Sequence, residues 1–280
     1  MPLVTLTQAF DSIASDGGAL AGVVVLGWED ACAYVRAAEK VGCPVILQAG
    51  PGCRAHTPLS VLSEMFRVLA EGAKVPVVAH LDHGKTPQDC LDAIDAGFTS
   101  VMYDGSALPL AENIENTRQV LTAARAAGVS VEAELGIVGY VGAKESVGTS
   151  PDEARIFIEQ APVDALAISA GNTHLSQTDT VPADMAVIRA IEAAVPTPLV
   201  LHGGSGIPAA QRREIALHTR VAKFNIGTEL RLAFGHTLRE RLASDPDVFD
   251  RIEILKSLID PIAERTAPVL ANLLPEGSAA

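Results

Sequence analysis

An apolar run giving way to a stretch with helical spacing recurs eight times along this chain, and that alternation constrains its fold more than any other feature. The runs cover 19–27, 44–50, 75–82, 99–104, 130–136, 164–170, 198–202 and 221–227. They are continuously apolar or β-branched, with no clean polar alternation, as parallel strands read when crossover helices cover the sheet. The helical stretches are 29–41, 59–73, 87–96, 110–127, 151–160, 183–194, 208–219 and 229–244, after a short leading helix at 5–15. Pro87, Pro151 and Pro208 stand near helix starts, and Gly42, Gly97 and Gly128 just past helix ends, which is the usual asymmetry of helix punctuation. Eight such units predict an α/β fold, a (β/α)8 TIM barrel. A doubly wound open sheet is the alternative, but no G-x-G-x-x-G follows the first strand to support a dinucleotide-binding version. Residues 246–274 read as a helical tail, a C-terminal extension beyond the eighth unit, and 1–280 as a single barrel domain because no linker divides the chain.

A chain of 280 residues, 48% hydrophobic, can bury a large core. Its net charge of −13 includes no run of Lys or Arg, which argues against nucleic-acid and anionic-membrane partners. The four cysteines, Cys32, Cys43, Cys53 and Cys90, form no C-x-x-C pair. Neither a disulfide framework nor a thiolate metal site is indicated, and a reducing cytoplasm is the expected location. No basic start with an apolar core opens the chain, and no apolar stretch is long enough to span a bilayer.

Polar residues gather where the strand-like runs end. The third run ends in His80-Leu81-Asp82-His83-Gly84, the sixth leads to Asn172-Thr173-His174, and the seventh to His202-Gly203-Gly204-Ser205. Three histidines at equivalent strand ends suggest a divalent metal with an open position for substrate; the bland alternative is a set of hydrogen-bonded structural histidines. Asp104, Glu132, Glu134 and Asn225 also lie near strand ends, the edge where such barrels place their active sites. Glu132 and Glu134 are two apart and share one strand face, so they require cations or donors nearby, or belong to a salt-bridge network. The glycine-rich His202–Pro208 segment and Lys223–Glu229 are the ends of runs seven and eight, where barrels often bind phosphate. A tight turn without a ligand is the alternative for the glycines.

Taken together, His80–Gly84, Gly97–Ser106, Val131–Gly136, Leu199–Gly206 and Lys223–Glu229 resemble the class II, metal-dependent ketose-bisphosphate aldolases, the fructose- and tagatose-bisphosphate aldolase family, from about residue 44 to about residue 235. The resemblance implies that His83, His174 and His202 ligate Zn2+. It implies that Asp82 exchanges a proton with the aldehyde oxygen, and that Asn225 steadies the enediolate. Asp104 and Glu134 match acidic positions around a second cation, and Gly203, Ser205, Gly227 and Thr228 match the phosphate site. The implied activity is reversible cleavage of a phosphorylated ketose to dihydroxyacetone phosphate and an aldehyde, by a homodimer or homotetramer. Zinc chemistry of this kind needs no lysine Schiff base.

The chain departs from the family pattern in four places. His174 is followed by Leu175-Ser176-Gln177-Thr178 where Gly and Tyr-Lys are usual, so one glycine and one cation of the phosphate site are missing. The first-strand Asn is replaced within Val23-Val24-Val25, the Ser after the second strand is Gly50, and the loop Glu expected as proton-abstracting base is Gly142. Glu145 is the nearest carboxylate that can serve as that base, with Tyr140 a second candidate. These changes leave open a class II-like aldolase with another donor, such as a keto acid or an unphosphorylated ketone. A catalytically silent barrel is the remaining alternative.

Overall fold

The computed structural model describes residues 2–14, 17–137, 147–172 and 181–277. Eight parallel strands close into a barrel: β1 (Leu20–Val24), β2 (Val45–Ala49), β3 (Val77–Gly84), β4 (Ser100–Tyr103), β5 (Ser130–Leu135), β6 (Ala165–Ile168), β7 (Leu199–Leu201) and β8 (Val221–Ile226). They pair in chain order, and β8 returns to β1 with Gly22 opposite Asn225. The expected (β/α)8 barrel is therefore the observed fold. Every residue of β2 through β7 is buried, which is why these runs lack a polar alternation.

The helices are α1 (Leu6–Asp11), α2 (Trp28–Val41), α3 (Pro51–His56), α4 (Leu59–Gly72), α5 (Pro87–Asp95), α6 (Leu110–Ala127), α7 (Pro151–Gln160), α8 (Met185–Ala194), α9 (Ala209–His218), α10 (Thr228–Ser244), α11 (Arg251–Lys256) and α12 (Ile259–Ala271). Local signals account for many of their ends. Thr86 caps α5 in a reciprocal capping box with Asp89, with Pro87 in the first turn. Gly128 ends α6 at φ 69°, a left-handed conformation that glycine adopts without a Cβ clash. The six-residue α3 was not expected, because it is too short to show an apolar period. The tail is two helices, of which α12 lies against α2 and buries Ile259, Ile262 and Leu270 in the outer core.

The two ends of the barrel differ in kind. At the amino ends of the strands, Leu20, Ile46, Val78, Met102, Ala165, Ala167 and Val200 form an apolar plug that Leu6 and Ala9 of α1 complete. Thr99 Oγ1 donates to the Val4 carbonyl at 2.7 Å, and Thr7 Oγ1 lies 3.0 Å from Ser130 Oγ, tying α1 to that end. Above the plug the interior turns polar. Gly22 makes room for this layer, since a Cβ there would lie 1.8 Å from Gln48 Oε1 and 2.8 Å from Lys223 Cε.

Candidate active site

Strand alternation sends His80 and Asp82 into the barrel and Leu81 outward, and a regular strand would send His83 outward as well. The register changes instead: Leu81 pairs with Val101 but Gly84 pairs with Tyr103, so β3 has one residue more than β4 over this step. His83 has φ 51°, the one non-glycine residue at positive φ among the described residues. This bulge turns His83 back toward the mouth, next to Asp82. Both residues then line one cavity.

His83 and His202 stand edge to face with ring centroids 4.7 Å apart. Nδ1 of His83 lies 2.7 Å from Asp104 Oδ2 and 3.5 Å from Glu134 Oε2, while Nε2 lies 3.9 Å from Asp82 Oδ1. A carboxylate only accepts, so Nδ1 carries a proton, and in the neutral ring Nε2 holds the lone pair. In His202 the roles reverse. Its Nε2 donates to Glu132 Oε1 at 3.1 Å, which leaves the Nδ1 lone pair 3.8 Å from Glu134 Oε2. Asn225 Nδ2 donates to Asp82 Oδ1 at 3.2 Å, and Ser106 Oγ donates to Asp104 Oδ1 at 2.7 Å. Asn172 joins strand ends by accepting from Ala170 N–H and donating to the His202 carbonyl.

Glu132 and Glu134 share a strand face but not an environment. Glu132 lies deeper, where the fully buried Lys223 Nζ donates to its Oε2 at 2.6 Å. Lys223 also approaches His80 Nε2 at 3.3 Å, and His80 Nδ1 lies 2.8 Å from Ser100 Oγ. An ammonium only donates, so His80 accepts at Nε2 and donates from Nδ1. Burial, reinforced by the Lys223 charge, holds the His80 pKa well below the ordinary histidine range, so the ring is neutral. His80 is thus a supporting residue below the site. Lys223 and Glu132 form a buried ion pair that orients His202, a second-layer arrangement common behind histidine ligands.

Negative groups outnumber fixed positive ones near the mouth, and the titration behaviour reflects it. Burial works against a charged His83, yet Asp82, Asp104 and Glu134 outweigh it and push its pKa up to about 9. Burial pushes Glu134 up to about 8 despite the nearby His83 charge, with Asp104 adding to the rise. Asp104 is also raised by burial, but hydrogen bonds and charge from His83 and Lys85 hold it well below the usual carboxylate range. The acidic surroundings thus favour added positive charge at the mouth, from a proton or a cation.

This donor set fits a divalent cation. Asp82, His83 and His202 offer one ligand atom each within 4.8 Å of one another, and His83, Asp104 and Glu134 form a second such group. Among the described residues, buried Glu134 Oε2 has no hydrogen-bond partner, nor has Asn225 Oδ1, a costly state that a bound cation or substrate donor relieves. His174, Glu145 and Tyr140 lie outside the described residues, as do Gly142 and Leu175.

Beside this cluster opens a cavity of about 280 Å³. Asp82, His83, Asn225, Gly203, Ser205, Gly227 and Thr228 all line it, as do Val24 and Gly50 from the departing positions. Ser205 Oγ accepts from Gly227 N–H at 3.2 Å and Glu229 N–H at 3.3 Å, joining the turn after β7 to the start of α10. Its hydroxyl proton is left to donate to an anion. Arg212 ion-pairs with Glu229 and donates to the Gly204 carbonyl at 3.3 Å, bracing that turn from behind. Gly204 itself is tightly packed, since a Cβ would lie 2.8 Å from Ile226 Cδ1 and 3.1 Å from the Asn225 carbonyl oxygen.

Three contributors were missed in the sequence reading. Lys223 had a readable signal, an inward position two residues before Asn225 on one strand. Arg231, which lines the cavity from α10, and Arg54, on the unexpected α3, had none.

Comparison with known proteins agrees with this geometry. The family model described as fructose-bisphosphate aldolase class-II matches residues 4–277. The chain is 36% identical over 272 residues to the probable fructose-bisphosphate aldolase of Bacillus subtilis (strain 168), covering 94% of this chain and 95% of that one. It is 40% identical over 231 residues to the fructose-bisphosphate aldolase of Geobacillus stearothermophilus, covering 80% of each. Among solved structures, the YdjI aldolase of Escherichia coli K12 superposes with a TM-score of 0.86 at 29% identity, covering 99% of this chain and 100% of that one. A strand order, a carboxylate–imidazole mouth and a match along nearly the whole sequence thus agree, and the chain belongs to the class-II fructose-bisphosphate aldolase family.

Proposed function

We propose that this aldolase reversibly cleaves a phosphorylated ketose, such as fructose- or tagatose-bisphosphate, to dihydroxyacetone phosphate and an aldehyde. Family membership makes the chain a carbon–carbon lyase of a metal-dependent type. The observation that carries the finer reading is the convergence of Asp82, His83 and His202 beside a cavity that Gly203, Ser205 and Thr228 also line. In this reading His83 and His202, with His174, hold Zn2+, and Asp104 and Glu134 serve a second cation. A divalent cation held there supplies Lewis-acid polarisation of the ketose oxygens.

The chain's own residues account for the rest. Asp82 takes the proton of the hydroxyl that becomes the aldehyde oxygen and returns it on condensation, with Asn225 keeping its carboxylate aimed at the cavity. The amide of Asn225 stands ready for the negative charge that develops on the donor fragment. Gly203, Ser205, Gly227 and Thr228 line the phosphate seat, where Ser205 and Thr228 offer hydroxyl donors and Gly203 a backbone N–H. Arg231 contributes a positive charge to the same cavity, where the sequence lacks the usual lysine. Glu145 is proposed as the group that protonates the donor's carbon after cleavage and takes that proton back on condensation.

No described helix is long and apolar enough to cross a membrane. A cytoplasmic homodimer or homotetramer completes the reading, and light scattering tests the assembly. The decisive experiment is a cleavage screen of the Zn2+-loaded protein. Turnover of a ketose bisphosphate with release of dihydroxyacetone phosphate is expected. Turnover confined to keto-acid or unphosphorylated aldols would replace this donor with another, and no turnover of any ketose would sink the reading.

A further inference from the structure

The bulge that aims His83 has to be held, because a histidine at φ 51° sits in a sparsely populated backbone region. β4 pairs again at Gly84, but on the other side β2 offers no help. β2 ends at Ala49, opposite Leu81, so the last residues of β3 run past it. Arg54 of α3 fills that place. Its Nη1 donates to the Ala49 carbonyl at 2.7 Å and the Asp82 carbonyl at 2.5 Å, and its Nη2 donates to the His83 carbonyl at 3.1 Å.

Consecutive carbonyls of a regular strand point in opposite directions. One planar guanidinium reaches those of both Asp82 and His83 only when the chain between them is turned, as the left-handed His83 turns it. Arg54 therefore bonds the bulged form better than the straight one, and a group can bias a conformation only by such a difference. The fork of a guanidinium suits this pair of acceptors in a way that a single ammonium does not.

We infer that Arg54 is a positioning residue which clamps the end of β3, keeping His83 and Asp82 on the same side of the barrel wall for metal binding. The inference rests on the reading of His83 as a metal ligand. It needs no contact between Arg54 and metal or substrate.

The test is a Zn2+ titration of metal-stripped protein against a chromophoric chelator, with thermal melting in parallel. Arg54→Ala is expected to weaken Zn2+ binding by about 10–100-fold, as loss of a supporting partner usually does. Millimolar guanidinium should restore much of that loss, and methylammonium should not. Arg54→Lys keeps the charge without the fork and is expected to weaken binding in the same direction; it carries the test should Arg54→Ala not fold. Unchanged Zn2+ affinity in a folded Arg54 variant, or equal rescue by methylammonium, overturns the clamp. His83→Ala in the same titration is the separate control: Zn2+ binding unaffected by that change would refute the metal-ligand reading itself, whatever Arg54 does.

Discussion

The two ends of this barrel are built from the same eight strands and do opposite things. At the amino ends, Leu20, Ile46, Val78 and Val200 meet Leu6 of α1 in an apolar cluster. At the carboxyl ends, Asp82, His83 and His202 are buried within one another's reach, and His83, Asp104 and Glu134 form a second such group. Burial of apolar side chains stabilises by about 1.5–3 kcal/mol each, whereas buried ionisable groups oppose folding unless they are paired. One end therefore contributes stability and the other draws on it. Between them, the Lys223–Glu132 pair is the boundary: a buried salt bridge that orients a functional histidine.

That contrast can be tested from both sides. Asp82→Asn preserves shape at the mouth and is expected to lower kcat by about 10²–10⁴-fold, the usual contribution of a general acid–base group. Its melting temperature should stay level or rise, and full activity in a cleavage assay would remove Asp82 from the chemistry. Lys223→Met takes from Glu132 its buried ammonium partner and leaves it only the His202 hydrogen bond, a change expected to cost about 3–5 kcal/mol in urea unfolding. The double variant Lys223→Met/Glu132→Gln should recover much of that stability while still disturbing His202. Leu6→Ala opens the plug, with an expected loss on the order of 3 kcal/mol and an unchanged kcat below the melting transition. A fall in kcat without a fall in stability would show that the two ends are not separate in this way.

The smallest expected effect concerns Asp30 of α2, which accepts from Leu26 N–H at the carboxyl side. Burial pushes its pKa up from 3.8 to about 6. The fold thus favours the protonated form, so its contribution is fully present below pH 3.8 and is lost as the pH rises through about 6. Asp30→Asn should gain on the order of 1 kcal/mol at pH 7.5 and nothing at pH 3.5. Equal melting shifts at both pH values would contradict that account.

Most of the fold was readable because barrel strands are covered on both faces, which leaves continuous apolar runs between helical ones. The expected runs contain the observed strands except at β3, which extends two residues further, to Gly84. That extension is where the reading failed, and it is the bulge. Residues at the strand ends were visible as candidates, and Asp82, His83, His202, Asn225 and Glu134 do meet there. Glu132 appeared equivalent to Glu134, but its depth beside Lys223 gives it a different role. The short α3 carried no periodic signal, and so Arg54 was invisible.

The order of strands and helices, the inward face of each strand and the ionisable residues at each strand end follow from neighbours one to four positions apart, and such local patterns are legible in one dimension. Partners across the barrel are not. Glu132 meets His202 and Lys223 at separations of 70 and 91 residues, and Asp82 meets Asn225 at 143. Closure of the barrel chose those pairs, and with them the tautomer of His202. The turn of His83 into the mouth was likewise decided in three dimensions, because β2 stops at Ala49 and a guanidinium from the following helix takes the carbonyls that β3 presents beyond it.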